Sequence, residues 1–61
     1  MKKRLYTLKE AAEYLGRPVW GVRTIVWSGQ IPVVKPRGGR KIYIDVMDLN
    51  NFIERNKHTY Q

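Results

Sequence analysis

The chain has 61 residues, with twelve Lys and Arg against five Asp and Glu, a formal net charge of +7, one His and no Cys. A domain this short buries only about 60% of the surface that its unfolded chain exposes, and neither a disulfide nor a zinc site within one chain can be built to reinforce it. No apolar run reaches the roughly 18 residues of a membrane span, Lys9, Glu10 and Glu13 interrupt any signal-peptide core, and the charge points first to nucleic acid and second to an anionic surface. The expected compartment is the cytoplasm.

The chain reads as one domain over 1–61, with residues 1–4 a basic arm and 58–61 a frayed tail. Arg4-Leu5-Tyr6 is a short extended lead-in. Thr7-Leu8-Lys9-Glu10 has the form of a capping box: the Thr7 hydroxyl accepts from the Glu10 N–H and the Glu10 carboxylate from the Thr7 N–H. Tyr6, just before the cap, is placed to staple onto Ala11. A helix over Leu8–Leu15 follows, with Leu8, Ala11, Ala12 and Leu15 on one face. Gly16 ends it in a left-handed conformation.

Pro18 suits the first turn of a second helix, where its missing N–H costs nothing. Val19, Val22, Ile25 and Val26 form the apolar stripe, and Ser28-Gly29 the end. Gly21 costs about 1 kcal/mol relative to Ala in helix propensity, and one explanation is the close approach of another backbone, at Ala11 and Ala12. Trp20, Arg23, Thr24 and Trp27 are left on the solvent face.

Val33-Val34-Lys35 and Lys41-Ile42-Tyr43-Ile44 have strand composition, and Gly38-Gly39 fits a two-residue hairpin turn between them. Pairing across it sets Val33 opposite Ile44 and Lys35 opposite Ile42. Val33, Ile42 and Ile44 then face the core, and Val34, Lys41 and Tyr43 face outward. Pro36 lacks a ladder donor and puts its strand at an edge. Asp45 caps a third helix from Val46 to about Asn56. Its buried stripe is Val46, Leu49, Phe52 and Ile53, and Arg55 and Lys57 complement the dipole at its end.

No acidic residue stands between Glu13 and Asp45, while Arg17, Arg23, Lys35, Arg37, Arg40 and Lys41 do. Cations clustered in this way raise the local field felt by a polyanion. Ala12, Gly16, Val22 and Ile25 have the spacing of two steeply crossing helices: a small residue at the crossing, a turn residue that tolerates positive φ, and two apolar residues that lock the second helix. The fold predicted is α+β, mainly α: a small winged helix-turn-helix, three helices with a two-stranded β-hairpin wing between helices 2 and 3. The carboxylates are used as caps or lie on exposed faces, and no Ser/His/Asp order, phosphate-binding loop or metal spacing remains. The expectation is therefore a protein without catalysis or cofactor.

Tyr6-Thr7-Leu8-Lys9-Glu10-Ala11-Ala12-Glu13-Tyr14-Leu15-Gly16, Val22, Gly29-Gln30-Ile31-Pro32, Gly39-Arg40-Lys41-Ile42-Tyr43-Ile44 and Asp48-Leu49 to Phe52-Ile53 resemble the excisionase-type, MerR-like winged helix domains, over residues 5–54. The resemblance implies a bacterial or phage-encoded protein that binds double-stranded DNA, with its second helix in the major groove and its wing on the adjacent backbone. Some such proteins are excisionases that bend DNA and set the direction of site-specific recombination; others are transcriptional regulators or packaging proteins. Arg17, Pro18 and Gly21 depart from the family pattern, which usually has an apolar residue, a Ser or Thr cap, and Thr or Ser there. Ending just after the third helix, the chain is not expected to carry the effector pocket of full-length MerR-type regulators.

On such a helix Arg23 suits guanine O6/N7 or a phosphate. Thr24 suits a thymine methyl, a phosphate, or a bond back to the preceding turn. Trp20 suits sugar and base edges or the underside of the wing, and Arg17 a phosphate near the helix N-terminus. Trp27 is expected to pack against the wing. Lys35, Arg37, Arg40 and Lys41 suit phosphates and a narrow minor groove, and Tyr43 can donate its OH to a phosphate. Lys2, Lys3 and Arg4 are expected to add electrostatic affinity only. The partners expected are double-stranded DNA, further copies of the chain on adjacent sites and, for an excisionase, an integrase; no membrane is expected. A small transcriptional regulator is the alternative, and a protein–protein adaptor using Trp20 and Trp27 a further one.

Overall fold

The capping box forms as the sequence predicts. Thr7, extended at φ −72° and ψ 169°, accepts from the Glu10 N–H at 3.2 Å, and its own N–H donates to Glu10 Oε1 at 3.0 Å. It opens helix α1 (Leu8–Leu15) in a computed structural model that describes residues 3–59. Gly16, at φ 69°, closes the helix, and the Gly16 and Arg17 N–H groups donate to the Glu13 and Ala12 carbonyls. These paired bonds are those of a Schellman motif, which satisfies carbonyls the helix leaves open.

Helix α2 runs over Val19–Trp27. Pro18 is its N-cap, extended at φ −67° and ψ 157°, and not its first helical residue. The proline ring fixes φ at a value shared by helical and extended backbone, so it does not decide on which side of the boundary the residue lies. A second Schellman motif ends α2: Gly29, at φ 79°, and Gln30 donate to the Val26 and Ile25 carbonyls. The approach of another backbone at Gly21 is not found. A Cβ there meets only Pro18 ring carbons at 3.7 and 3.8 Å and Arg17 Cβ at 3.9 Å, all from its own turn.

The extended lead-in is strand β1 (Leu5–Tyr6), and its partner is strand β2 (Ile44–Asp45), antiparallel, with Leu5 opposite Asp45 and Tyr6 opposite Ile44. Thus the two-stranded sheet joins the start of the chain to the segment before helix α3 (Val46–Arg55). Beside it the two arms of the wing pair through one bridge, Val34 with Tyr43, whose N–H groups donate to each other's carbonyls at 2.7 and 2.8 Å. This keeps the register that sets Val33 opposite Ile44, but the ladder goes no further. The turn is closed by the Gly39 N–H on the Pro36 carbonyl at 3.1 Å, and Gly38 has φ 81°. Arg37-Gly38, not Gly38-Gly39, therefore occupies its centre, with glycine where a type II turn requires positive φ. Pro36 offers no N–H with which to extend the ladder. Val33 remains 38% exposed and does not join the core; Ile31, at 2%, does.

The core is Ala11, Ala12, Val22, Ile25, Ile31, Ile44, Leu49 and Phe52, with Tyr6, Leu8, Leu15, Val19 and Val26 packed against it. Tyr6, expected as a staple on Ala11, has its ring edge-on to Tyr14, centroids 5.3 Å apart. The Tyr14 hydroxyl donates to Asn50 Oδ1 at 2.6 Å and ties α1 to α3. Arg55 donates to the Gln30 carbonyl at 2.8 Å and ties the end of α3 to the loop after α2. The architecture is the mainly helical winged helix-turn-helix that the sequence predicts: three helices, a two-stranded antiparallel sheet, and a wing between α2 and α3. No helix among the described residues is long and apolar enough to cross a membrane. Met1 and Lys2 of the expected arm, and residues 60–61 of the expected frayed tail, lie outside the described residues.

Candidate nucleic-acid interface

With Val22 and Ile25 turned into the core, the helical period leaves Trp20, Arg23, Thr24 and Trp27 facing outward on α2. Trp20 is 73% exposed and Trp27 79%. The expectation that Trp27 packs against the wing is therefore incorrect. It lies at the end of α2, and the wing, held by a single bridge, does not cover it. The Thr24 hydroxyl donates back to the Trp20 carbonyl at 3.0 Å, one of the roles the sequence allowed it. Arg17 is exposed in the turn between α1 and α2, Lys35, Arg37, Arg40 and Lys41 are exposed on the wing, and Tyr43 is half-buried at its base.

The structure brings part of this set together. A cleft of about 440 Å³ runs between the start of α1, the flank of α2 and the returning arm of the wing. Its lining carries the cations Lys9, Arg23, Arg40 and Lys41, the hydroxyl residue Thr7, and the apolar residues Leu8, Val19 and Ile42. No carboxylate lines it. Arg17, Trp20, Thr24, Lys35, Arg37 and Tyr43 lie outside this cleft. Lys9, which lines the cleft, was not among the residues singled out in the sequence, because the capping motif accounted for its neighbours. The available signal was a lysine on the first turn of α1, off the Leu8, Ala11 and Ala12 face. A second cleft, between α3 and the loop after α2, has the other character, with Asp48 and Glu54 beside Arg55.

The ion pairs explain which cations remain available. Among the described residues Lys3 pairs with Glu10, Arg4 Nε with Asp45 Oδ2 at 3.1 Å, and Lys57 with Glu54 at 2.8 Å. None of Arg17, Arg23, Lys35, Arg37, Arg40 and Lys41 takes part in such a pair. Lys3 and Arg4, expected to act only by long-range attraction, are instead tied to the carboxylates that cap α1 and α3. Strand β1 lays them there, and the Lys3 ammonium also stands 5.4 Å from the Tyr6 ring centre. Asp45 is held below its ordinary carboxylate pKa, first by the Met47 N–H donated to it at 2.9 Å. Burial works against this lowering, and the Arg4 guanidinium adds to it. Among the described residues no group of His, Asp or Glu is arranged to hold a metal ion.

Residues 5–57 match the family described as helix-turn-helix domain, nearly the whole chain, and the chain belongs to that family. It is a DNA-binding domain family, typically without enzymatic activity, and DNA is the partner that membership supports. Neither the comparison with curated proteins nor that with solved structures found a match.

Proposed function

We propose that this domain binds double-stranded DNA with a sequence preference, α2 lying in the major groove and the wing on the adjacent backbone. Its role is that of an excisionase of a phage or other mobile element, which bends DNA and sets the direction in which an integrase recombines it. The observation that carries the DNA-binding face is the carboxylate-free cleft where Arg23 of α2 meets Arg40 and Lys41 of the wing. Cations from a helix and a loop on one surface are what backbone anchoring beside groove readout needs. The excisionase role rests on the resemblance carried by residues 5–54.

In detail, Arg23 and Trp20 offer base-edge or sugar contacts. Thr24, its hydroxyl turned to the Trp20 carbonyl, offers its methyl. Arg17, Lys35, Arg37, Arg40, Lys41 and Tyr43 hold phosphates. A module of this size covers only about 600–1,000 Å² of DNA-facing surface, so we place several copies on adjacent sites. The test is a titration of duplexes of about 25 base pairs, a length that a bending protein can deform, at two salt concentrations with Arg23→Ala and Arg40→Ala. Arg40→Ala is expected to weaken all duplexes alike, and Arg23→Ala to relax the sequence preference as well. If neither weakens binding, this face is not the DNA surface. Stimulation of integrase-dependent excision by the added protein then separates an excisionase from a transcriptional regulator. The exposure of Trp20 and Trp27 also fits a protein–protein adaptor, whose binding would survive moderate salt where DNA binding collapses.

A further inference from the structure

We propose that the cleft between α1, α2 and the wing holds one phosphodiester of the duplex backbone, so that α1, through Lys9 and Thr7, is a third DNA-contacting element. This rests on the DNA-binding reading above and adds a ligand and two residues to it. Four cations from three separate elements converge on the cleft, with no carboxylate in its lining. None of them is paired with a carboxylate among the described residues. Like charges brought together in this way repel, and an anion seated between them relieves the repulsion.

The rest of the lining fits the same group. Leu8, Val19 and Ile42 give the cleft an apolar floor. Such a floor lowers the local dielectric and strengthens the charge-assisted bonds formed above it, and it offers contact to the sugar carbons that flank a phosphate. The Thr7 hydroxyl accepts from the Glu10 N–H and keeps its own proton to donate to a phosphate oxygen. The Glu10 carboxylate, nearest to Lys9 in sequence, is occupied by the Thr7 N–H and by Lys3. At about 440 Å³ the space is within the range of roughly 300–1,000 Å³ in which proteins hold groups of small-molecule size.

The experiment is an anisotropy titration of the full chain with two labelled duplexes of unrelated sequence across a series of salt concentrations, for wild type, Lys9→Ala, Lys9→Arg and Lys57→Ala. Lys9 is exposed and alanine is the better helix former, so the fold is kept, which circular dichroism checks. Lys9→Ala is expected to weaken both duplexes by a similar factor, about three- to tenfold, and to reduce the slope of log K against log salt by about 1. Lys9→Arg should restore both. Lys57→Ala, outside the cleft and paired with Glu54, should change neither. If wild type binds with a steep salt slope and Lys9→Ala matches it in affinity and slope, the cleft assignment is overturned while DNA binding stands. A loss confined to one of the two sequences overturns the phosphate as the ligand. If wild type binds neither duplex, the DNA-binding reading itself fails, and the cleft assignment with it.

Discussion

A methyl group added at Gly21 meets Pro18 ring carbons at 3.7 and 3.8 Å, which is ordinary contact. Nothing in the packing requires glycine there, and in a helix glycine mainly raises the entropy of the unfolded chain. Gly21→Ala is therefore expected to stabilise the domain by about 0.4–1 kcal/mol, read as a higher urea midpoint at unchanged slope. Gly16 has open space around its added Cβ but a φ of 69°. Gly16→Ala should lower stability by about 1–2 kcal/mol, the strain of a left-handed alanine. Gly16, just past the last apolar residue of α1, is legible in the sequence as a left-handed cap, whereas the room at Gly21 shows only in the packing. Trp27 teaches a related lesson. Its place near the end of α2 pointed to packing against the wing, yet Trp27→Ala should leave stability within about 0.5 kcal/mol of wild type, because the residue is 79% exposed.

At the scale of elements, α1 is fully legible because its signals are local. The Thr7–Glu10 box and Gly16 stand at its two ends, and Leu8–Leu15 is the observed helix. Thr7→Ala should cost about 1 kcal/mol of stability in denaturant melts. The partner of β1 was not legible. Leu5-Tyr6 carries no mark that names Ile44-Asp45 across most of the chain, and Ile31 enters the core through the path of a loop, not through a periodic pattern. The wing register agrees with the sequence reading, but its turn centre and ladder length were not legible: the turn centres on Arg37-Gly38 and Pro36 stops the pairing early. For the candidate site, composition and helical phase gave the basic residues and the outward face of α2; that Lys9 and Arg40 line one cleft depends on packing alone. Asp45 gives the α3 cap a pH signature. Its folded pKa lies below the ordinary value of 3.8, so its contribution is complete above that value and is lost as pH falls through the folded pKa. Thermal melts from pH 5 downward should show Tm falling most steeply below 3.8, and Asp45→Asn should flatten that decline.

For the molecule as a whole, a net charge of +7 on 61 residues sets two responses to salt against each other. Screening relieves the self-repulsion of the folded chain, so added salt should raise Tm in the absence of DNA. The same salt competes with phosphate contacts. About six such contacts predict a slope near −5 in log K against log salt, measured on one duplex over a salt series.

The two arms of the wing are joined to each other by the Val34–Tyr43 bridge, while its tip at Gly38 has nothing within 4 Å of an added Cβ. The turn at Arg37-Gly38 is thus an exchangeable part. Loops of other length or charge can be spliced in there without disturbing Ile44, which is fully enclosed, or the outward face of α2. On the proposed DNA-binding reading, the charge of this turn is then a means of changing grip without touching the helix assigned to the choice of sequence.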